Sequence, residues 1–149
     1  MQTFLPYASF YDTARTLDDK RLGKQRVEAL QILLVLAKPV DYVGGRVNHP
    51  VVNMWRGYDD ALKIYTNCMI IEWERRGYQN TMQCYDVHDI VTLPWWLDDQ
   101  RIHDSHKSNL LRKYPEYYRA FGWNVFDNLP YFWPVEGRPK PTKKSSVRV

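Results

Sequence analysis

The chain has 149 residues, of which 44% are hydrophobic and 26% charged. That is enough for one domain with a real core, and too apolar for a disordered chain. The net charge of +4 is unevenly placed: residues 138–149 hold Arg138, Lys140, Lys143, Lys144 and Arg148 and no acid, leaving 16 of the 21 basic residues against 17 acidic ones. Any nucleic-acid affinity of the body must therefore come from a local basic face, not from bulk charge. The longest apolar run, Ile32 to Ala37, is too short to span a bilayer, and no basic-then-apolar leader opens the chain. Cys68 and Cys84 lack metal-ligand spacing, so reduced thiols in a cytoplasmic protein are expected.

In chain order, residues 1–11 are apolar and aromatic and are expected to pack onto the body. Ser9 suits the cap of a short helix through Thr16. Leu17 to Ala37 reads as one long helix with a charged first half, an apolar second half and Asp18 as its cap. Arg21, Lys24, Gln25 and Glu28 fall at i, i+3, i+4 and i+7, on one face. Residues 38–48 form a loop, and Asn48-His49-Pro50 opens the next helical stretch. Gly57 marks a bend. Asp59 or Asp60 then starts a second long helix, with Leu62, Tyr65, Met69 and Trp73 on its apolar stripe and Gly77 as its stop. A third helix runs from Asp98 or Asp99 to Lys113, and a short turn, EYYRAF, closes at Gly122. The segment 137–149 reads as a basic flexible tail behind a single helical domain, 1–136.

Two polar clusters stand out. Arg46, Asn48, His49 and Arg56 gather around a helix start, where backbone N–H groups already favour anions. His103 and His106, at i and i+3, share a helix face with Lys107 and Asn109 and suit a polar groove more than a metal site, since HxxH lacks a third ligand nearby. Trp95 and Trp96 suit core or lid packing.

The phrases RLGKQRVEALQIL, NHPVVNMWRGY and HDSHKSNLLRKYPEYY, with ERRGY closing the second helix, resemble the phage endonuclease V family and its short bacterial branch. The resemblance spans roughly Met1 to Trp123. It implies a pyrimidine-dimer DNA glycosylase with an attached lyase activity. By this resemblance Arg26 grips phosphate, with Arg21 or Lys24 as a second contact, and the run Tyr117-Tyr118-Arg119 meets DNA. Arg offers forked contacts to phosphate, and Tyr offers flat faces beside an unstacked base.

The family attacks the sugar C1′ with an N-terminal α-amine exposed by methionine removal. An α-amine titrates at about 8, which leaves a neutral fraction at pH 7. Here residue 2 is Gln, large for methionine removal, so Met1 is expected to stay. The simplest ungapped match puts the family's glutamate on Gly23; the nearest acid, Glu28, lies about 140° around and about 7.5 Å along the helix.

The expectation is thus an all-α, endonuclease V-like fold, with three main helices and an N-terminal segment threading between them. The function expected is a monomeric, cytoplasmic, nucleoid-associated DNA-binding protein of bacterial or phage type, an N-glycosylase on damaged or modified pyrimidines. Glu28, Met1 and Lys24 are the catalytic candidates; Arg21, Arg26, Arg46, Asn48, His49, Arg56, His103, His106, Tyr117, Tyr118 and Arg119 are the DNA-binding ones. No cofactor, metal or membrane is expected. The rival readings are a module that binds distorted DNA without cutting it, and a nucleoside hydrolase or transferase using the histidines.

Overall fold

The computed structural model describes residues 1–39 and 41–135; the expected basic tail lies outside them. Six helices and no strand occur among the described residues: α1 (Phe10–Thr16), α2 (Asp19–Leu36), α3 (Pro50–Trp55), α4 (Asp59–Arg75), α5 (Gln100–Lys113) and α6 (Pro115–Tyr118). Two 3₁₀ turns, Trp95–Asp98 and Arg119–Phe121, precede α5 and follow α6. The three long helices are α2, α4 and α5, and the fold is all-α as expected.

Local chemistry sets most boundaries. The Ser9 side chain accepts from the Asp12 N–H at the start of α1, and Asp99 accepts from the Arg101 N–H at the start of α5. Gly57, Gly77 and Gly122 take positive φ at the turns before α4, after α4 and after the last 3₁₀ turn. Asp18 departs from expectation. It makes no side-chain cap of α2; its carboxylate instead accepts from Arg21 and from the Tyr118 hydroxyl. The α3 cap is the His49 side chain, accepting from the Val51 N–H.

Helices α2 and α4 form the central pair. They run antiparallel, with Asp19 meeting Arg76, Gly23 facing Trp73 and Gln25 meeting Tyr65. The apolar half of α2 is only partly core: Ile32 and Leu33 are buried, while Leu34 is exposed. The buried face is Leu22, Gln25, Ala29, Ile32 and Leu33, at the helical period rather than at the hydrophobic run. Trp55 and Trp96 meet edge to face at 5.0 Å within one apolar cluster that joins α1 to α6. Trp95, by contrast, is exposed. No described helix is long and apolar enough to cross a membrane.

The N-terminal segment threads through this frame. Residues 2–6 are buried, and side chains take the place of a neighbouring strand for residues 4 and 5. The Phe4 N–H donates to Gln25 Oε1 (3.0 Å), and the Phe4 carbonyl accepts from the Tyr65 hydroxyl (2.8 Å). The Leu5 N–H donates to His106 Nδ1 (2.8 Å), and the Leu5 carbonyl lies 2.7 Å from His103 Nδ1. Side chains from α2, α4 and α5 thus meet every backbone polar group of an extended buried dipeptide.

Candidate active site

Threading fixes where the chain start emerges. It opens into a cleft of ≈ 370 Å³ lined by Met1, Gln2, Lys20, Arg21, Lys24, Glu28, Lys113 and Tyr131, among others. Five of the lining residues come from α2: Lys20, Arg21, Lys24 and Glu28, with the buried Gln25 beneath them.

Glu28 is the acid of this cleft. Its Oε2 accepts from the backbone N–H of Gln2 (3.3 Å) and from Gln25 Nε2 (3.1 Å). Among the ion pairs of the described residues none joins Lys24 to Glu28, so the simple surface-pair reading of these two is not what the fold holds. Gly23, where the ungapped match puts the family's acid, points away from the chain start. A Cβ there would stand 2.9 Å from the Trp73 ring. The carboxylate beside the N-terminal segment is Glu28.

Two grooves continue the cleft. One, of ≈ 540 Å³, shares Lys20, Arg21 and Lys113 with it and adds Tyr114 and Tyr117. The other, of ≈ 480 Å³, shares Lys20, Lys24 and Glu28 and adds Arg26, Gln31 and Trp73. Both grooves thus hold cations together with aromatic rings, and Asp19 as well. Lys113 and Tyr114 went unmarked in the sequence because nothing local separates them from an ordinary helix end. Lys20 lay in the charged half of α2 without a role for the same reason.

The remaining expected site residues divide. Arg26 stacks over Trp73 (4.6 Å), which stacks in turn on Tyr78, and its guanidinium donates to Asn80 Oδ1. Arg21 pairs with Asp18 at 3.2 Å. Arg46 is exposed and donates to Gln31 Oε1, a side chain of the Glu28 groove. His49 abuts Trp133 edge to face, and burial, then the positive Met1 amine and Arg46, lower its pKa. With Nδ1 accepting from Val51, neutral His49 carries its proton on Nε2. Asn48 is partly buried, and Arg56 donates to the Val47 carbonyl and to Asn53. Tyr117 lines a groove and Arg119 is exposed.

Three expected DNA contacts are corrected. His103 and His106 are buried and hold the backbone of Leu5, so they face no groove, and the hydrolase reading, which used His49, His103 and His106, keeps only His49. Burial, then His103, pushes His106 down to about 3, leaving it neutral, with Nε2 buried and unpartnered. Tyr118 is fully buried; its hydroxyl accepts from the Asp18 N–H and donates to the Asp18 carboxylate, and burial followed by that bond raises its pKa. Stacked on Trp123, it supports Tyr117 rather than meeting a base. No group of three or more His, Cys, Asp or Glu residues placed to hold a metal occurs among the described residues.

Comparison with curated proteins and with solved structures gives no match. The family model described as pyrimidine dimer DNA glycosylase matches residues 1–86, which include the N-terminal segment, α2 with Glu28, and α4. On that match over more than half of its length, the chain belongs to the pyrimidine dimer DNA glycosylase family.

Proposed function

We propose that the protein is an N-glycosylase that releases damaged or modified pyrimidines from DNA, with Glu28 as its catalytic carboxylate. The observation that carries this reading is the contact of Glu28 Oε2 with the nitrogen of Gln2, inside a cleft rimmed by Lys20, Arg21, Lys24 and Lys113. Glycosidic cleavage builds positive charge on the sugar. A carboxylate held by the amide N–H of residue 2, one residue from the Met1 α-amine, would stabilise that charge and take a proton. The amine is the Met1 α-amine or Lys24 Nζ. Its lone pair bonds to C1′ as the N-glycosidic bond breaks, and the base departs with the bonding electrons and the proton that the amine sheds. Ring opening then gives an imine, from which loss of the C2′ proton to Glu28 and expulsion of the 3′-phosphate would supply the lyase step.

The rim cations suit phosphates, and Tyr114 and Tyr117 offer stacking faces beside them. Arg46, His49 and Arg119 are the outer DNA contacts in this reading. The unpaired state of Glu28 with respect to Lys24 favours catalysis over mere binding of distorted DNA.

Incubation with duplexes carrying defined modified pyrimidines, with mass analysis, should detect free base. Borohydride on abasic-site DNA should trap a covalent adduct mapping to residue 1 or 24. Base release without an adduct would replace the amine by water; neither product from any duplex would leave the binding module as the better reading.

A further inference from the structure

Gln25 occupies a core position on α2 where an apolar side chain would pack as well, yet it is 1% exposed and carries four hydrogen bonds. Its Oε1 accepts from the Phe4 N–H (3.0 Å) and lies 2.6 Å from the Tyr65 hydroxyl, whose single proton it shares with the Phe4 carbonyl. Its Nε2 donates to the Gln2 carbonyl (3.1 Å) and to Glu28 Oε2 (3.1 Å). The orientation of the amide is forced. The Phe4 N–H can only donate and the Gln2 carbonyl can only accept, so a flipped amide would oppose like groups at both ends. The full capacity of the side chain is therefore spent on joining the N-terminal segment, α4 and the cleft carboxylate. Two of the four bonds satisfy buried backbone groups and are accounted for by folding alone. The bond to Glu28 is not: that carboxylate is only partly buried and borders the open cleft.

We propose that Gln25 is the positioning residue of this site. One amide holds the register between the N-terminal segment and the Glu28 carboxylate, so that the amine and the acid keep one geometry when a sugar enters between them. The role rests on the glycosylase reading given above, but the geometry it asserts can be tested without activity. A carboxamide serves where a carboxylate or an alkyl chain of similar size cannot, because it presents an acceptor to Phe4 and Tyr65 and a donor to Gln2 and Glu28 at once. The charged or titratable groups around Glu28 are Lys20, Arg21, Lys24, Lys113, Tyr131 and the Met1 amine in the cleft, with Tyr65 behind it.

The test compares Gln25→Glu and Gln25→Met with Ile32→Val, a buried apolar change on the same helix that removes no hydrogen bond. In Gln25→Glu the donor becomes a second carboxylate facing Glu28. The Glu28 side-chain carbon signal should then titrate about one pH unit or more higher by NMR, because adjacent carboxylates resist double ionisation. Gln25→Met, which covers failure of the first variant to fold, should also move that titration upward and should speed amide exchange at Phe4 by about tenfold or more. On a DNA substrate kcat should fall on the order of a hundredfold in both, with KM within about threefold, as expected for misplaced reacting groups. Ile32→Val should leave the titration and kcat in place. An unmoved Glu28 titration in the Gln25 variants, or a kcat loss no greater than that of Ile32→Val, overturns the proposal. Should the wild type release no base, the glycosylase reading fails while the titration still decides whether Gln25 positions Glu28.

Discussion

A glutamate four residues after a lysine on a helix is, by itself, worth about 0.3–0.5 kcal/mol as an exposed pair. At position 28 the carboxylate instead meets Gln25 and the nitrogen of residue 2. Glu28→Gln keeps the shape and one acceptor oxygen, so folding and DNA affinity should persist while base release falls at least about a hundredfold. A rate within a few-fold of wild type would remove Glu28 from the mechanism. His106 gives a second residue-scale expectation. Its ordinary pKa of 6.5 holds in the unfolded chain, and its folded value is about 3. Below pH 6.5 the unfolded chain takes up a proton that the folded chain refuses, so stability at this site is intact above the unfolded pKa and is lost as pH falls toward the folded one. Between pH 7 and pH 5 that loss is about 2 kcal/mol. His106→Asn keeps an acceptor for the Leu5 N–H but does not titrate. The gap in urea-unfolding free energy between wild type and variant should therefore narrow by about 2 kcal/mol over the same interval.

Helix α2 carries two jobs along one element, and its glycine marks the boundary between them. Gly23 lies under Trp73, whose ring is held between Arg26 at 4.6 Å and Tyr78 at 4.2 Å. Alanine would add about 1 kcal/mol of helix propensity, but overpacking against a ring pinned on both faces costs about 1–3 kcal/mol. Gly23→Ala should therefore destabilise by about 1 kcal/mol in urea titration; a stabilised variant would mean the ring slides freely. The start of α5 depends on a single side chain, since Asp99 caps it and also pairs with Arg101 at 2.7 Å. Asp99→Ala should lower stability by about 1 kcal/mol.

At the scale of the whole molecule, charge is the variable. The cleft rim sets Lys113 of α5 beside Lys20, Arg21 and Lys24 of α2, a juxtaposition that no single stretch of sequence shows. Replacing Lys113 by Gln should lower the slope of log affinity against log salt by about 0.9 if it contacts one phosphate. Deleting residues 138–149, with five cations and no acid, should weaken binding further without abolishing it. A shortened chain with no DNA affinity at low salt would assign binding to the tail instead of the rim.

Helix positions and stops were legible in the sequence because they rest on local chemistry: Ser9 as a cap, Asp98 or Asp99 as the start of the third long helix, Gly57 and Gly77 as turns, and the 3.6-residue period that puts Arg21, Lys24, Gln25 and Glu28 on one side of α2. The family resemblance was legible for the same reason, since each of its phrases is one continuous stretch, a helix with at most the turn or short helix beside it. Which polar residues face solvent was not. His103 and His106 read like a groove face, yet Leu5 lies about a hundred residues away in sequence and takes both. Asp18 looked like a cap until Tyr118 reached it from α6. Gly23 and Glu28 were told apart only when Trp73 covered one and the N-terminal segment met the other. Caps, turns and periodicity act within a few residues, so one sequence determines them. The burial of a polar group depends on partners brought in by chain crossings, and only the tertiary structure decided those.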